Sequence, residues 1–142
     1  MAKALIILHV LGASIWVGGH LLLLLRYLPE ALRDRDPSII QDFERKYEAI
    51  GIPALLLQLV TGLLLGARYQ ANWFSFANPV DLTFNLKLVL LLLTLLLGIH
   101  ARFFLLPKLA PEGLVPLARH IAAVTVLAIG FVYLGISFRY GY

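Results

Sequence analysis

The 142-residue chain has no cysteine, and its one methionine is Met1. That excludes disulfides, thiolate metal sites and the thioether attachment of a c-type haem. It also removes the soft sulfur donors that copper(I) sites prefer. Charge is scarce too: 14% of the residues are Asp, Glu, Lys or Arg, against 61% hydrophobic. Between Ala4 and Leu25 there is no charged side chain at all, a run able to cover a hydrocarbon core of ~30 Å at about 1.5 Å per residue.

Three further apolar runs follow, Ala49 to Ala67, Leu82 to Ala101 and His120 to Phe138. In lipid every backbone N–H and C=O needs a partner within the chain, so such runs are helices or closed barrels. Leu21 to Leu25 and Leu90 to Leu93 do not alternate as barrel strands would. The sequence therefore predicts one domain over 1–142, an all-α integral membrane four-helix bundle with helices over 4–27, 49–69, 82–106 and 117–138. A cleaved signal peptide would have a shorter apolar stretch and a small-residue cleavage site, neither of which fits the first run.

Arg26, Arg33, Arg35, Arg45, Lys46, Arg102, Lys108 and Arg119 belong to the first and third connections, leaving Lys3, Arg68, Lys87 and Arg139 for the other side. The positive-inside rule then places those connections in the cytoplasm and both termini on the outer face of a bacterial-type inner (plasma) membrane. The net charge of +4 follows from topology and calls for no nucleic acid. Asp36-Pro37-Ser38 is a helix-start signal, and Ile40, Phe43, Tyr47 and Ile50 after it share one helical face. Tyr69, Trp73, Phe74, Phe76 and Phe84 gather around the second connection. They suit an interfacial aromatic belt, or a stacking surface for a quinone or porphyrin.

The histidines carry most of the chemistry. His9, His20, His100 and His120 all fall within or at the edge of the apolar runs, where ionisable groups are costly and mark candidate sites. His9 and His20 lie eleven residues apart, only about 20° from eclipsed on a helix, with Trp16 on the same stripe and Gly12 and Gly19 beside it. His20, His100 and His120 come out roughly 12, 9 and 6 Å from the inner edge, depths at which an axial pair for a haem is conceivable. His9 is expected near the outer edge, at the level of Lys87; Lys87 and Thr94 share a face that His100 does not. Hydrogen bonding to a backbone carbonyl, or snorkelling for Lys87, is the plain structural alternative.

The segment His9-Val-Leu-Gly-Ala-Ser-Ile-Trp16-Val-Gly-Gly19, Thr61-Gly62, and the stretch from Leu86-Lys87-Leu88 through Arg102 resemble the copper-resistance D family of membrane proteins. His9, Trp16 and Lys87 are also similar to positions of the bacterial four-helix membrane protoporphyrinogen IX oxidase family, a resemblance that implies haem and a functional His9–Lys87 pair. Neither resemblance assigns His20, His100 or His120. Larger copper-resistance proteins have about twice as many helices, so the resemblance allows a homo-oligomer, for which Gly62 and Gly66 form a small-xxx-small pair.

The reading that follows is a b-type haem protein with a redox role toward quinol, a porphyrinogen or a small gas. Its cofactor contacts are His9, Trp16, His20, Lys87, His100 and His120, with iron on the four histidines. Whether it is an enzyme stays open. Copper ion transport is the first alternative, with a non-catalytic membrane assembly protein as the other. Against copper stand the missing sulfur donors and the lack of an intramembrane acid, so the sequence predicts no loss of copper uptake on His9→Ala or His20→Ala.

Overall fold

A computed structural model describes residues 2–140; the termini Met1 and Tyr142, assigned above to the outer face, lie outside the described residues. Helix α1 (Ala2–Leu22) continues through a π turn (Leu23–Tyr27) into α2 (Leu28–Asp34). Helix α3 (Ser38–Arg68) and helix α4 (Pro79–His100) follow, and α4 is extended by a π turn (Ala101–Leu105) and a 3-10 turn (Leu106–Lys108). A second 3-10 turn (Pro111–Gly113) leads into α5 (Leu114–Tyr140). Four of the resulting helical stretches, Lys3–Asp34, Ser38–Arg68, Pro79–Lys108 and Pro111–Arg139, are long and apolar enough to cross a membrane. There is no strand among the described residues, and the chain is an all-α four-helix membrane bundle.

Local chemistry sets the breaks between helices. Pro29 and Pro107 each follow a π turn, and a proline ring collides with the carbonyl four residues earlier, which a widened turn relieves. Asp36 accepts the Ser38 N–H at 2.9 Å and the Ser38 hydroxyl at 2.7 Å, which starts α3 where the Asp-Pro-Ser signal predicts. Asn78 caps α4 by accepting the Asp81 N–H, with Pro79 at the helix start.

Large apolar side chains cover the outside of the bundle: Leu25 is 71% exposed, Phe103 69% and Val126 67%. In hydrocarbon these faces cost nothing, whereas in water they would form one continuous sticky surface. The dry core is small and sits toward the first and third connections, where Leu23, Leu28, Ala31, Ile40, Leu114, Leu117 and Ile121 bury one another. Ile50, read as sharing a face with Ile40, Phe43 and Tyr47, points outward, and Gly51 lies inward under the Tyr47 ring.

The order of packing creates the feature that matters for function. Helix α1 packs along α3 and also on α5, and α5 packs on α4. Helices α3 and α4, adjacent in sequence, keep their backbones apart and meet chiefly where Phe84 packs on Gly66. The bundle is thus open along one side, with α1 and α5 at the back of a cleft and α3 and α4 as its walls. Glycines permit the close α1–α3 contact: a Cβ on Gly12 would meet the Ala54 carbonyl at 3.2 Å, and Gly19 lies directly against the Tyr47 ring. Gly62 and Gly66, the small-xxx-small pair, both have neighbours within the chain. Gly62 faces the His9 ring and Gly66 the Phe84 ring.

At the end that carries the α3–α4 connection, called outer after the sequence-based expectation, polar side chains hold the walls together. Asp81, 1% exposed, accepts the Asn72 N–H at 2.8 Å and the Asn78 side-chain amide at 3.0 Å. Asn85 accepts the Phe74 N–H at 2.9 Å, and its amide reaches the carbonyls of Asn72 and Ser75. The connection between α3 and α4 is thereby clipped onto the start of α4. Trp73, Phe74 and Phe76 stay exposed, as an interfacial belt requires, while Phe84 turns inward, edge-on to Trp73 at 5.2 Å.

Candidate functional site

The cleft has two halves that meet at Trp16 and Leu55, which line both. The outer half, about 770 Å³, is lined by His9, Trp16, Gln58, Gly62, Phe84 and Lys87 among mostly aliphatic neighbours. The inner half, about 340 Å³, is lined by His20, Glu44, Tyr47, Glu48, Arg102 and His120. The α1 stripe deduced from helical periodicity thus runs along the back of the cleft, with His9 in one half, His20 in the other and Trp16 between them.

Both cleft histidines are held in a defined tautomer. The Thr61 hydroxyl donates to the Leu57 carbonyl at 2.6 Å, so its oxygen accepts from His9 Nδ1–H, 2.8 Å away. His20 Nδ1 lies 2.8 Å from the Trp16 carbonyl, which only accepts, so Nδ1 carries the proton there as well. In each ring Nε2 is left with its lone pair. An imidazole oriented by an Nδ1–H bond to an oxygen is the arrangement that makes histidine a positioned metal ligand. Gly62 makes room for it, because a Cβ there would stand 3.3 Å from His9 Cε1. Gln58 donates to the His9 carbonyl, fixing α1 against α3 at that level. Trp16 packs on His20 with ring centroids 4.4 Å apart.

The other two histidines meet each other. His100 Nδ1 lies 2.9 Å from His120 Nε2, and the rings stack at 4.8 Å. His120 borders the inner half of the cleft, but His100 is exposed and lies outside its lining. Lys87 lines the outer half with His9, and Thr94 the inner half, as their shared face predicts.

Glu44 and Glu48 emerge only in three dimensions, as does the role of Thr61. Glu44 and Glu48, one helical turn apart on α3, face the inner half, and Glu48 pairs with Arg102 at 3.0 Å across its mouth. The sequence reading counted no intramembrane acid and did not anticipate carboxylates in the cleft lining. Their spacing to Tyr47 and Gly51 was the available signal. Thr61 is the partner that fixes His9.

Two of the histidine pairs, His100–His120 and His9–His20, are spaced wrongly for one iron held between them. Trans ligation separates the two donor nitrogens by about 4 Å at metal–nitrogen distances of about 2 Å, more than the 2.9 Å between His100 and His120. His9 and His20 are separated by about 16 Å of helix rise. Among the described residues no group of three or more His, Asp or Glu gathers into a metal site. What the cleft offers is a series of single, oriented nitrogen and oxygen donors.

The family description of copper resistance protein D matches residues 41–138, more than half of the chain. The match takes in Thr61-Gly62, Lys87 and Arg102, and begins after the His9–Gly19 segment. No curated protein and no solved structure matches the chain. With four membrane-crossing helices and this match, the chain is a multi-pass membrane protein that belongs to the copper-resistance D family.

Proposed function

We propose that the chain moves copper ions along the cleft between α3 and α4, with His9 as the outer station, His20 as the next, and Glu44, Glu48 and His120 at the inner mouth. The observation that carries this reading is the pair of Nδ1–H-fixed imidazoles, His9 and His20, each with an Nε2 lone pair in the same open cleft. Family membership favours it over the haem reading. Copper here is cargo. Imidazole is a good copper ligand, and stations with one or two protein donors bind weakly enough to release, which suits passage better than storage. The missing sulfur donors then argue against a tight store and leave transit open. With the first and third connections in the cytoplasm, the basic-residue bias makes His9 the periplasmic station and the Glu48–Arg102 mouth the cytoplasmic one.

Copper accumulation in cells producing the protein tests this. The reading reverses the sequence-based expectation: His9→Ala and His20→Ala should each bring accumulation down to that of cells without the protein. His100→Ala should leave it within about twofold, since His100 lies outside the cleft lining. Unchanged accumulation in both cleft variants, at equal protein levels, would remove copper transit as the function.

A further inference from the structure

The one cation in the outer half of the cleft is not explained by copper passage. Lys87 is half-buried among apolar walls, and an ammonium beside a copper station repels the cargo. Among the described residues it makes no ion pair or hydrogen bond that would explain its position. The acid inventory sharpens this. Of the eight Asp and Glu residues, Glu30, Asp34, Asp36, Asp42, Glu44, Glu48 and Glu112 all belong to the inner end. Asp81 alone is at the outer end, and its carboxylate is committed to Asn72 and Asn78. The fold therefore places a positive charge in an apolar cavity and supplies no counter-charge, an arrangement that favours an anionic guest.

From these features we infer that the outer half of the cleft binds a single-chain amphiphile with a carboxylate head, of the long-chain fatty-acid class, its head on Lys87 and its chain running toward Trp16. The cavity volume of about 770 Å³ falls in the range of small-molecule sites. Its side is open between α3 and α4, so a guest dissolved in the leaflet has lateral access. The top is roofed: Phe84 packs on Gly66 and meets Trp73 edge-on, and Tyr69 meets Phe138 at 5.4 Å. Lys87 lies eight residues into α4, about 12 Å below its start. A phospholipid keeps its phosphate at the headgroup level and cannot bring it under this roof without burying the rest of its head. A carboxylate is small enough to sit there. Binding it would also neutralise Lys87 beside His9, so this site and copper passage are compatible, but the inference stands without copper.

The test uses the full-length protein purified in detergent, with displacement of a fluorescent polyene fatty acid as the readout. The competitors are hexadecanoate, its uncharged twin hexadecanol, and hexadecyl phosphate. Hexadecanoate should displace the probe at least about tenfold better than hexadecanol, as expected for a charge-assisted contact in an apolar setting. Lys87→Gln should abolish that preference while leaving hexadecanol unchanged, which shows that the cavity is still formed, and Lys87→Arg should restore it. Equal displacement by acid and alcohol, a preference that survives Lys87→Gln, or tighter binding of the phosphate than of the carboxylate would each overturn the proposal.

Discussion

Replacing Asp81 with alanine is expected to lower the thermal stability of the protein clearly, because hydrogen bonds to the carboxylate are lost and their donors are left without an acceptor. The carboxylate is 1% exposed and takes the Asn72 N–H and the Asn78 amide at once. These bonds clip the α3–α4 connection to the start of α4, at the outer end of a pair of helices whose backbones are otherwise kept apart. Apolar packing gives little help there, because lipid competes equally well for the same surfaces. Asp81→Asn keeps one acceptor oxygen and should lose roughly half as much. Thermal unfolding in detergent measures both. An alanine variant that unfolds at the same temperature as the parent would mean that the clip does not hold the walls.

The second large effect concerns Thr61. Changing it to valine preserves shape and removes the oxygen that accepts His9 Nδ1–H. The ring then loses the contact that fixes its tautomer and its orientation beside the cleft. Loss of such a supporting bond typically lowers metal affinity by about 10–100-fold. Thr61→Ser, which keeps the hydroxyl, should remain within about threefold of the parent by the same argument. Competition of purified protein against a copper(I) chelator of known affinity reads the difference. Parent-like affinity in Thr61→Val would show that His9 is not a copper ligand.

The sequence made the bundle legible because charge is excluded from hydrocarbon whatever the packing. The start of α3 was legible too, since Asp36 and Pro37 act locally, whereas the Asn78-Pro79 cap was passed over and the third helix was expected to begin at 82. Which face of each helix turns inward was much less so. Leucine serves lipid and core alike: Leu114 is 2% exposed and Leu92 58%. Hydrophobic periodicity therefore carries little information, and the open side between α3 and α4 could not be read from it. Polar residues did carry information. The His9–Trp16–His20 stripe follows from 3.6 residues per turn, and all three side chains line the cleft. Depth alone brought His100 and His120 near each other, but depth is one coordinate. It gave no warning that their nitrogens meet at hydrogen-bond distance, too close for a metal between trans ligands. Glu44 and Glu48 were missed because they were read as part of a cytoplasmic connection, whereas α3 carries them unbroken to the inner mouth.

The most direct measurement is X-ray absorption at the copper edge on the purified, copper-loaded protein, together with its His9→Ala/His20→Ala double variant. The account predicts a nitrogen and oxygen shell at about 2 Å with imidazole scattering and no sulfur shell, from a chain whose only sulfur atom is in Met1. It also predicts loss of most of the bound copper in the double variant. Copper content and spectrum unchanged by that double substitution, or a parent protein that binds no copper at all, would contradict the claim that the cleft histidines carry the ion.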